Sequence, residues 1–256
     1  MHYFSVGTNH IGSIQVTYRL FHILLSGIYF HPTDISSHWL QPNLIKPSDS
    51  WLTDEHIEIV RLMINHKRIT LPTTMHTEFP RGIVCLNSFF FPKLQDTPEE
   101  ALDWLRNLLN CYDLVFPHKC LLEELWIPIN LGNQHWILVT VDFVHGTYFA
   151  INPIHPNNPT VKEISIADFI ADSIWWEFGF ESNRFVLRSP NHIHRLPVQV
   201  DGINCGVYIC MYMVIYAFGS FLNPYIGDLL PKSIDECRFL MLCWLLKGKI
   251  FFLPNN

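Results

Sequence analysis

The spacing of apolar positions divides most of the chain into short, well-bounded elements. In WLTDEHIEIVRLMI (51–64) apolar residues recur at helical intervals, with Thr53 and Asp54 as candidate N-caps. GIVCLNSFFF (82–91) is a continuous apolar run that predicts a strand. TPEEALDWLRNLL predicts a helix: Thr97 caps it, Pro98 takes the first helical position and Glu100 completes a capping box. Three strands follow, ELWIPIN, HWILVTVDF and TYFAIN, with LGNQ and VHG supplying the turns. ISIADFIADSIWWEF is helix-like, whereas RFVLR and RLPVQV read as extended. VYICMYMVIYAF reads as a core helix, and SIDECRFLMLCWLL as another, opened by a second capping box from Ser233 to Glu236 and ended at Gly248. Helices, a strand-rich middle and helices again predict an α+β architecture. Residues 1–45 lack this order and run into Pro42 and Pro47, so they are expected to form an N-terminal extension to a domain spanning 46–256.

Composition narrows the function. Hydrophobic residues make up 49% of the chain and charged ones 16%, as in a globular protein. The net charge is −6, and the densest basic cluster, His66 to Arg68, is small; a nucleic-acid partner is not expected. The apolar runs 20–30 and 207–218 are too short to span a bilayer, so no membrane association is expected. The cysteines are odd in number (Cys85, Cys111, Cys120, Cys205, Cys210, Cys237 and Cys243) and form no C-x-x-C pair. That usage fits a reducing compartment rather than a disulfide framework. His192 and His194 alternate along an extended run, but no carboxylate or cysteine has ligand spacing beside them, and no metal or cofactor is expected.

The candidate chemistry lies in VQVDGINCGVY (198–208). Asn204 is a plausible N-cap, which makes Cys205 the first residue of a helix. A helix N-terminus carries roughly half a positive charge and free N–H groups, both of which favour a thiolate. Gly202 permits a positive-φ turn, and Gly206 permits close approach of another segment. A buried structural cysteine is the competing explanation. A thiolate enzyme also needs a base, and His135 stands at the head of a strand, after a turn.

Taken together, HW…N-P…Q-x-D-G-x-N-C-G resembles the ubiquitin-like-protein-specific cysteine proteases, the SUMO (sentrin-type) proteases and their relatives, which share a fold with the adenoviral protease. The opening WLTD, the segment LNSFFFPKL and the strands IPINLGNQHWILVTVD resemble further motifs of that family, so the similarity runs from Trp51 to the C-terminal helix. It implies a papain-like, adenain-like domain with a mixed central sheet flanked by helices. Cys205 then corresponds to the nucleophile, His135 to its base and Gln199 to a side chain that stabilises the oxyanion with the Cys205 N–H. The third position departs from the pattern, with Asn152 where the family usually has aspartate. A Cys-His-Asn arrangement still orients the ring, but a neutral amide stabilises the imidazolium less, so reduced activity is expected. On the sequence alone, Asn152→Asp should leave turnover unchanged or raise it. Asp142 corresponds to a non-catalytic family aspartate. Trp51 and Trp136 correspond to the walls of a tunnel for a Gly-Gly tail, and Asp54 to a residue that contacts the modifier.

The resemblance therefore implies a thiol peptidase or isopeptidase acting after the Gly-Gly tail of SUMO or another ubiquitin-like modifier, monomeric and located in nucleus or cytoplasm. Two alternatives stay open at this point: a degenerate member that only binds the modifier, and an acyltransferase on the same fold.

Overall fold

The computed structural model describes residues 51–65, 69–70, 82–111, 122–178, 184–188, 196–217, 233–247 and 250–251. The expected 1–45 extension and the pair His192/His194 lie outside them. In chain order the elements are α1 (Asp54–Asn65), β1 (Ile69–Thr70), β2 (Ile83–Cys85), α2 (Phe90–Asp96), α3 (Pro98–Cys111), β3 (Glu124–Leu131), β4 (His135–Asp142), β5 (Thr147–Ile151), α4 (Val161–Phe178), β6 (Val186–Leu187), α5 (Cys205–Ala217), α6 (Ile234–Lys247) and β7 (Ile250–Phe251).

A five-stranded sheet in the order β2-β3-β4-β5-β6 forms the centre. Its outer pairs, β2 with β3 and β5 with β6, are parallel, and β3, β4 and β5 run antiparallel, so the sheet is mixed as expected. The three predicted strands are β3, β4 and β5. Gly132 (φ 61°) and Asn133 (φ 57°) turn the chain between the first two, and these are residue types that tolerate left-handed backbone. Pro128 sits within β3 but beyond Glu124–Trp126, the stretch paired with β2, so its missing N–H faces no ladder on that edge.

Both faces of the sheet are covered, and the alternation of side chains assigns each residue its face. Trp126, Trp136, Leu138, Phe149 and Ile151 pack with α1, α5 and α6. Leu125, Ile127, Ile137, Val139, Val141 and Ala150 pack with α2, α3 and α4. Helix α5 is buried nearly all round, which is why its sequence is apolar without helical periodicity.

The strand predicted over 82–91 is corrected by the structure. Strand β2 ends at Cys85, the Leu86 N–H donates once more to Trp126 O (2.7 Å), and Asn87 O then accepts the Phe90 N–H (3.1 Å) to start α2. Pro92 falls in the first turn of that helix, where no backbone donor is needed. The two predicted capping boxes also part company. Ser233 and Glu236 close theirs, at 3.3 and 3.4 Å. The Thr97 hydroxyl instead donates to Lys93 O (3.4 Å), and Glu100 pairs with Lys93 (2.9 Å), because α2 ends directly against the start of α3.

Candidate active site

His135 opens β4 and Asn152 follows the last residue of β5, so the antiparallel pairing brings both to the same end of these two inner strands. There the His135 Nε2 lies 3.0 Å from Asn152 Oδ1. The same oxygen accepts the Ile154 N–H (2.9 Å), while Asn152 Nδ2 donates to Glu163 Oε1 (2.5 Å) on the first turn of α4. An oxygen that already accepts a backbone N–H leaves the imidazole to donate, so Nε2 carries the ring hydrogen and Nδ1 is the basic nitrogen.

Cys205 is the first residue of α5, as predicted. Asn204, however, does not cap the helix with its side chain. Its Oδ1 accepts from Arg238 Nε (2.7 Å), and its Nδ2 donates to Asp201 Oδ2 (3.0 Å). Cys205 Sγ accepts from the Trp136 N–H (3.4 Å), and the backbone N–H groups of Gly206 and Cys205 at the helix start favour its ionised form. Cys205 is only 1% exposed. Burial raises the thiol above its ordinary range, the three N–H donors pull it back, and the Asp201 charge raises it further. The thiolate expected from the helix terminus alone is thus opposed by burial. Cys85 and Cys210 are pushed higher by burial, with no such donors, and Cys237 is lifted to about 12. Among the described cysteines, Cys205 has the setting of a nucleophile. At rest the sulfur and the ring are not joined by a hydrogen bond; the sulfur is held on the N–H of the residue after His135.

The loop before the helix is organised by Asp201, whose carboxylate accepts the Ile203 and Asn204 N–H groups (2.9 and 2.8 Å), and Gly202 does not take the positive φ expected of it. The Asp201 carboxylate is buried enough to favour protonation, but hydrogen bonds from the Asn204 side chain, the N–H groups of Ile203 and Asn204, and Gln199 outweigh this and hold it below the usual carboxylate range. Gln199 is buried, and its N–H donates to Pro153 O (2.8 Å), which ties this loop to the Asn152 segment. Its Nε2 donates to Asp201 O (2.6 Å), and its Oε1 is a buried acceptor without a partner. At rest the Gln199 amide therefore faces its own loop.

Trp136 is buried, donates its Nε1–H to Leu52 O (3.1 Å) and packs on Gly206. A Cβ at Gly206 would lie 2.9 Å from Leu52 Cβ and 3.2 Å from Trp136 Cδ1, the close approach that Gly206 was expected to permit. Trp51, by contrast, is 40% exposed. Asp54 accepts from the Ser88 hydroxyl (2.8 Å), tying α1 to the Asn87–Ser88 turn. The cap of α1 is Thr53, whose N–H donates to His56 Nδ1 (3.1 Å). Asp142 accepts the N–H groups of Val144 (3.0 Å) and His145 (2.9 Å) and so shapes the β4–β5 turn away from the thiol.

Two site residues carry no expectation from the sequence, Glu163 and Arg238. Glu163 was findable: T-V-K-E (160–163) is a capping-box pattern, and the Thr160 N–H does donate to Glu163 Oε2 (2.7 Å). Arg238 left no such signal, since its partner lies 34 positions away.

With this geometry in hand, similarity to known proteins is informative. A profile of the Ulp1 protease family, C-terminal catalytic domain, matches residues 50–231. The ubiquitin-like-specific protease 1 of Saccharomyces cerevisiae is 25% identical over 164 residues, which are 63% of this chain and 22% of that protein. The chain thus spans about a fifth of the curated relative it matches. Among solved structures, the SUMO protease Ulp1 with its catalytic cysteine oxidised to a sulfenic acid superposes with a TM-score of 0.59 at 19% identity, covering 94% of this chain and 96% of that one. The C-terminal Ulp1 protease domain in complex with Smt3, the yeast ortholog of SUMO, gives 0.52 at 21% identity, with 77% of each chain covered. The Xanthomonas campestris effector XopD bound to ubiquitin gives 0.54 at 16% identity, covering 84% of this chain and all (100%) of that one. At these identities the structural likeness speaks for the fold.

Proposed function

Because the chain belongs to the Ulp1 protease family through its C-terminal catalytic domain, we propose that it is a cysteine peptidase that cleaves after the terminal Gly-Gly of SUMO or another ubiquitin-like modifier. The observation that carries this reading is the pairing of His135 with Asn152 at 3.0 Å, beside a cysteine at a helix start whose sulfur accepts the N–H of the residue after His135 at 3.4 Å.

In this mechanism His135 Nδ1 takes the Cys205 proton as the sulfur attacks the scissile carbonyl. The Cys205 N–H and Gln199, once its amide turns from Asp201, hold the oxygen that becomes negative. The imidazolium returns the proton to the departing amine, and water then hydrolyses the thioester. Asn152 orients the ring throughout. In this reading Trp51 and Trp136 form the walls of the path for the tail, where flat indole faces admit glycine and exclude side chains, and Asp54 contacts the modifier. The catalytic unit is residues 46–256, preceded by the extension 1–45. An intracellular, reducing setting, nucleus or cytoplasm, keeps the nucleophile in its thiol form.

The test is a fluorogenic SUMO-tail and ubiquitin-tail substrate pair, with wild type and Cys205→Ser. Loss of about a thousandfold or more on Cys205→Ser supports the reading; equal turnover by both proteins overturns it. A vinyl-sulfone tail probe should attach to Cys205, and tail binding without attachment would instead mark a binding module.

A further inference from the structure

We propose that Glu163 is a positioning residue of this active site, the buried carboxylate that turns the neutral Asn152 into an effective orienter of His135. The inference rests on the cysteine-peptidase reading above and assigns a part to a residue outside the Cys-His-Asn set.

The geometry carries it. Glu163 is 4% exposed, and both of its oxygens accept hydrogen bonds, Oε2 from the Thr160 N–H (2.7 Å) and Oε1 from Asn152 Nδ2 (2.5 Å). A terminal amide has a donor end and an acceptor end, and only its neighbours decide which end faces the imidazole. Here the neighbours are unambiguous. The Ile154 N–H can only donate, so it fixes Oδ1 at one end (2.9 Å). The carboxylate accepts, so it fixes Nδ2 at the other. With the amide locked, His135 has a single partner for Nε2–H, and Nδ1 is left for the thiol.

The carboxylate also supplies charge. An amide that donates to a carboxylate is polarised, which strengthens its oxygen as an acceptor for the imidazolium that forms during the reaction. The negative charge that the family usually places at the third position is, in this chain, one hydrogen bond further back, on α4. A capping role alone would not account for the arrangement. The box with Thr160 needs only Oε2, yet Oε1 is directed into the site.

This reverses the expectation for Asn152→Asp. The substitution removes the donor to Glu163 and sets two carboxylates against each other at hydrogen-bond distance, where one must hold a proton or both must move. Adding Glu163→Gln restores a donor–acceptor pair in the opposite sense, with the glutamine amide donating to the new carboxylate.

The experiment is steady-state cleavage of the SUMO-tail substrate at pH 7 by wild type, Asn152→Asp, Glu163→Gln and the double variant. Each single variant should lose about tenfold or more in kcat with little change in KM, and the double variant should return to within about threefold of wild type. Full kcat in Asn152→Asp, or a double variant no faster than Asn152→Asp, overturns the proposal. Thr160→Ala, which removes only the hydroxyl side of the capping box, should lower Tm and leave kcat in place; a fall equal to that of Glu163→Gln would reduce Glu163 to a cap and overturn the proposal. A readout independent of turnover is the ring nitrogen spectrum of His135. Wild type should show the Nε2–H tautomer alone, and Glu163→Gln a mixture; an unchanged spectrum in the variant counts against the proposal. If Cys205→Ser cleaves as wild type does, the peptidase reading falls by itself, while the tautomer still reports on Glu163.

Discussion

Asn152 and Asn204 occupy matching places on the two arms of the site. Each side-chain amide lies between a carboxylate and a basic group: Asn152 between Glu163 and His135, Asn204 between Asp201 and Arg238. The chemistry differs because the basic groups differ. Arg238 is 1% exposed and never gives up its proton at working pH, so it makes of Asn204 a lock that holds the loop before α5. An imidazole can gain and lose a proton near neutral pH, so in the proposed mechanism the same construction around Asn152 holds the base. The arms also approach from opposite sides. Glu163 comes from α4, which packs with Ile137 and Ala150, and Cys205 from α5, which packs with Trp136 and Leu138. Alternation along β4 gives Trp136 to the layer of α5 and turns His135 to the opposite face, the face of α4.

The comparison predicts different failures for the two arms. The largest effect should be on rate: His135→Ala should cut kcat by about 10² to 10⁴ with little change in Tm, read by tail-substrate turnover and a thermal melt. Arg238→Met should act first on stability, costing about 3 kcal/mol in chemical denaturation, because it strands the Asn204 oxygen and removes a cation that interacts with Asp201. If Arg238→Met loses rate without losing stability, the two arms are not divided as described.

Gly206→Ala should cost about 2 kcal/mol through overpacking against Leu52 and Trp136, and it should slow labelling of Cys205 by iodoacetamide, since Trp136 also supplies an N–H to the sulfur. The smallest effect concerns acid. Asp201 has a folded pKa below its unfolded value of about 3.9, so its stabilising contribution is complete above that value and is lost as pH falls through the folded pKa. Asp201→Asn should therefore flatten the acid limb of a Tm-against-pH curve below about pH 4; an unchanged limb would remove Asp201 from the account.

Much of this was legible in the chain. Strands β3 to β5 were read from apolar runs with Gly-Asn and His-Gly turns, and the helix start at Cys205 from the polar residues before a core run. The Ser233 box closed, whereas the Thr97 box gave way to Lys93, which the preceding helix delivers to both Thr97 and Glu100. Of GIVCLNSFFF only Ile83–Cys85 is strand and Phe90–Phe91 open a helix, because an apolar run does not distinguish a buried strand from a buried helix.

What the sequence determined by itself was therefore the set of candidate groups and the local elements that carry them: a cysteine at a helix start, a histidine at a strand head and an amide after the next strand. These follow from short-range rules of capping, turns and alternation. The tertiary structure alone decided that the Asn204 amide serves Arg238 instead of the helix, that burial opposes the helix terminus at the thiol, and that a carboxylate from α4 stands behind Asn152. Each depends on contacts across layers of the fold, and the free energy of a buried hydrogen bond or charge is set by what packs around it, not by its neighbours in the chain.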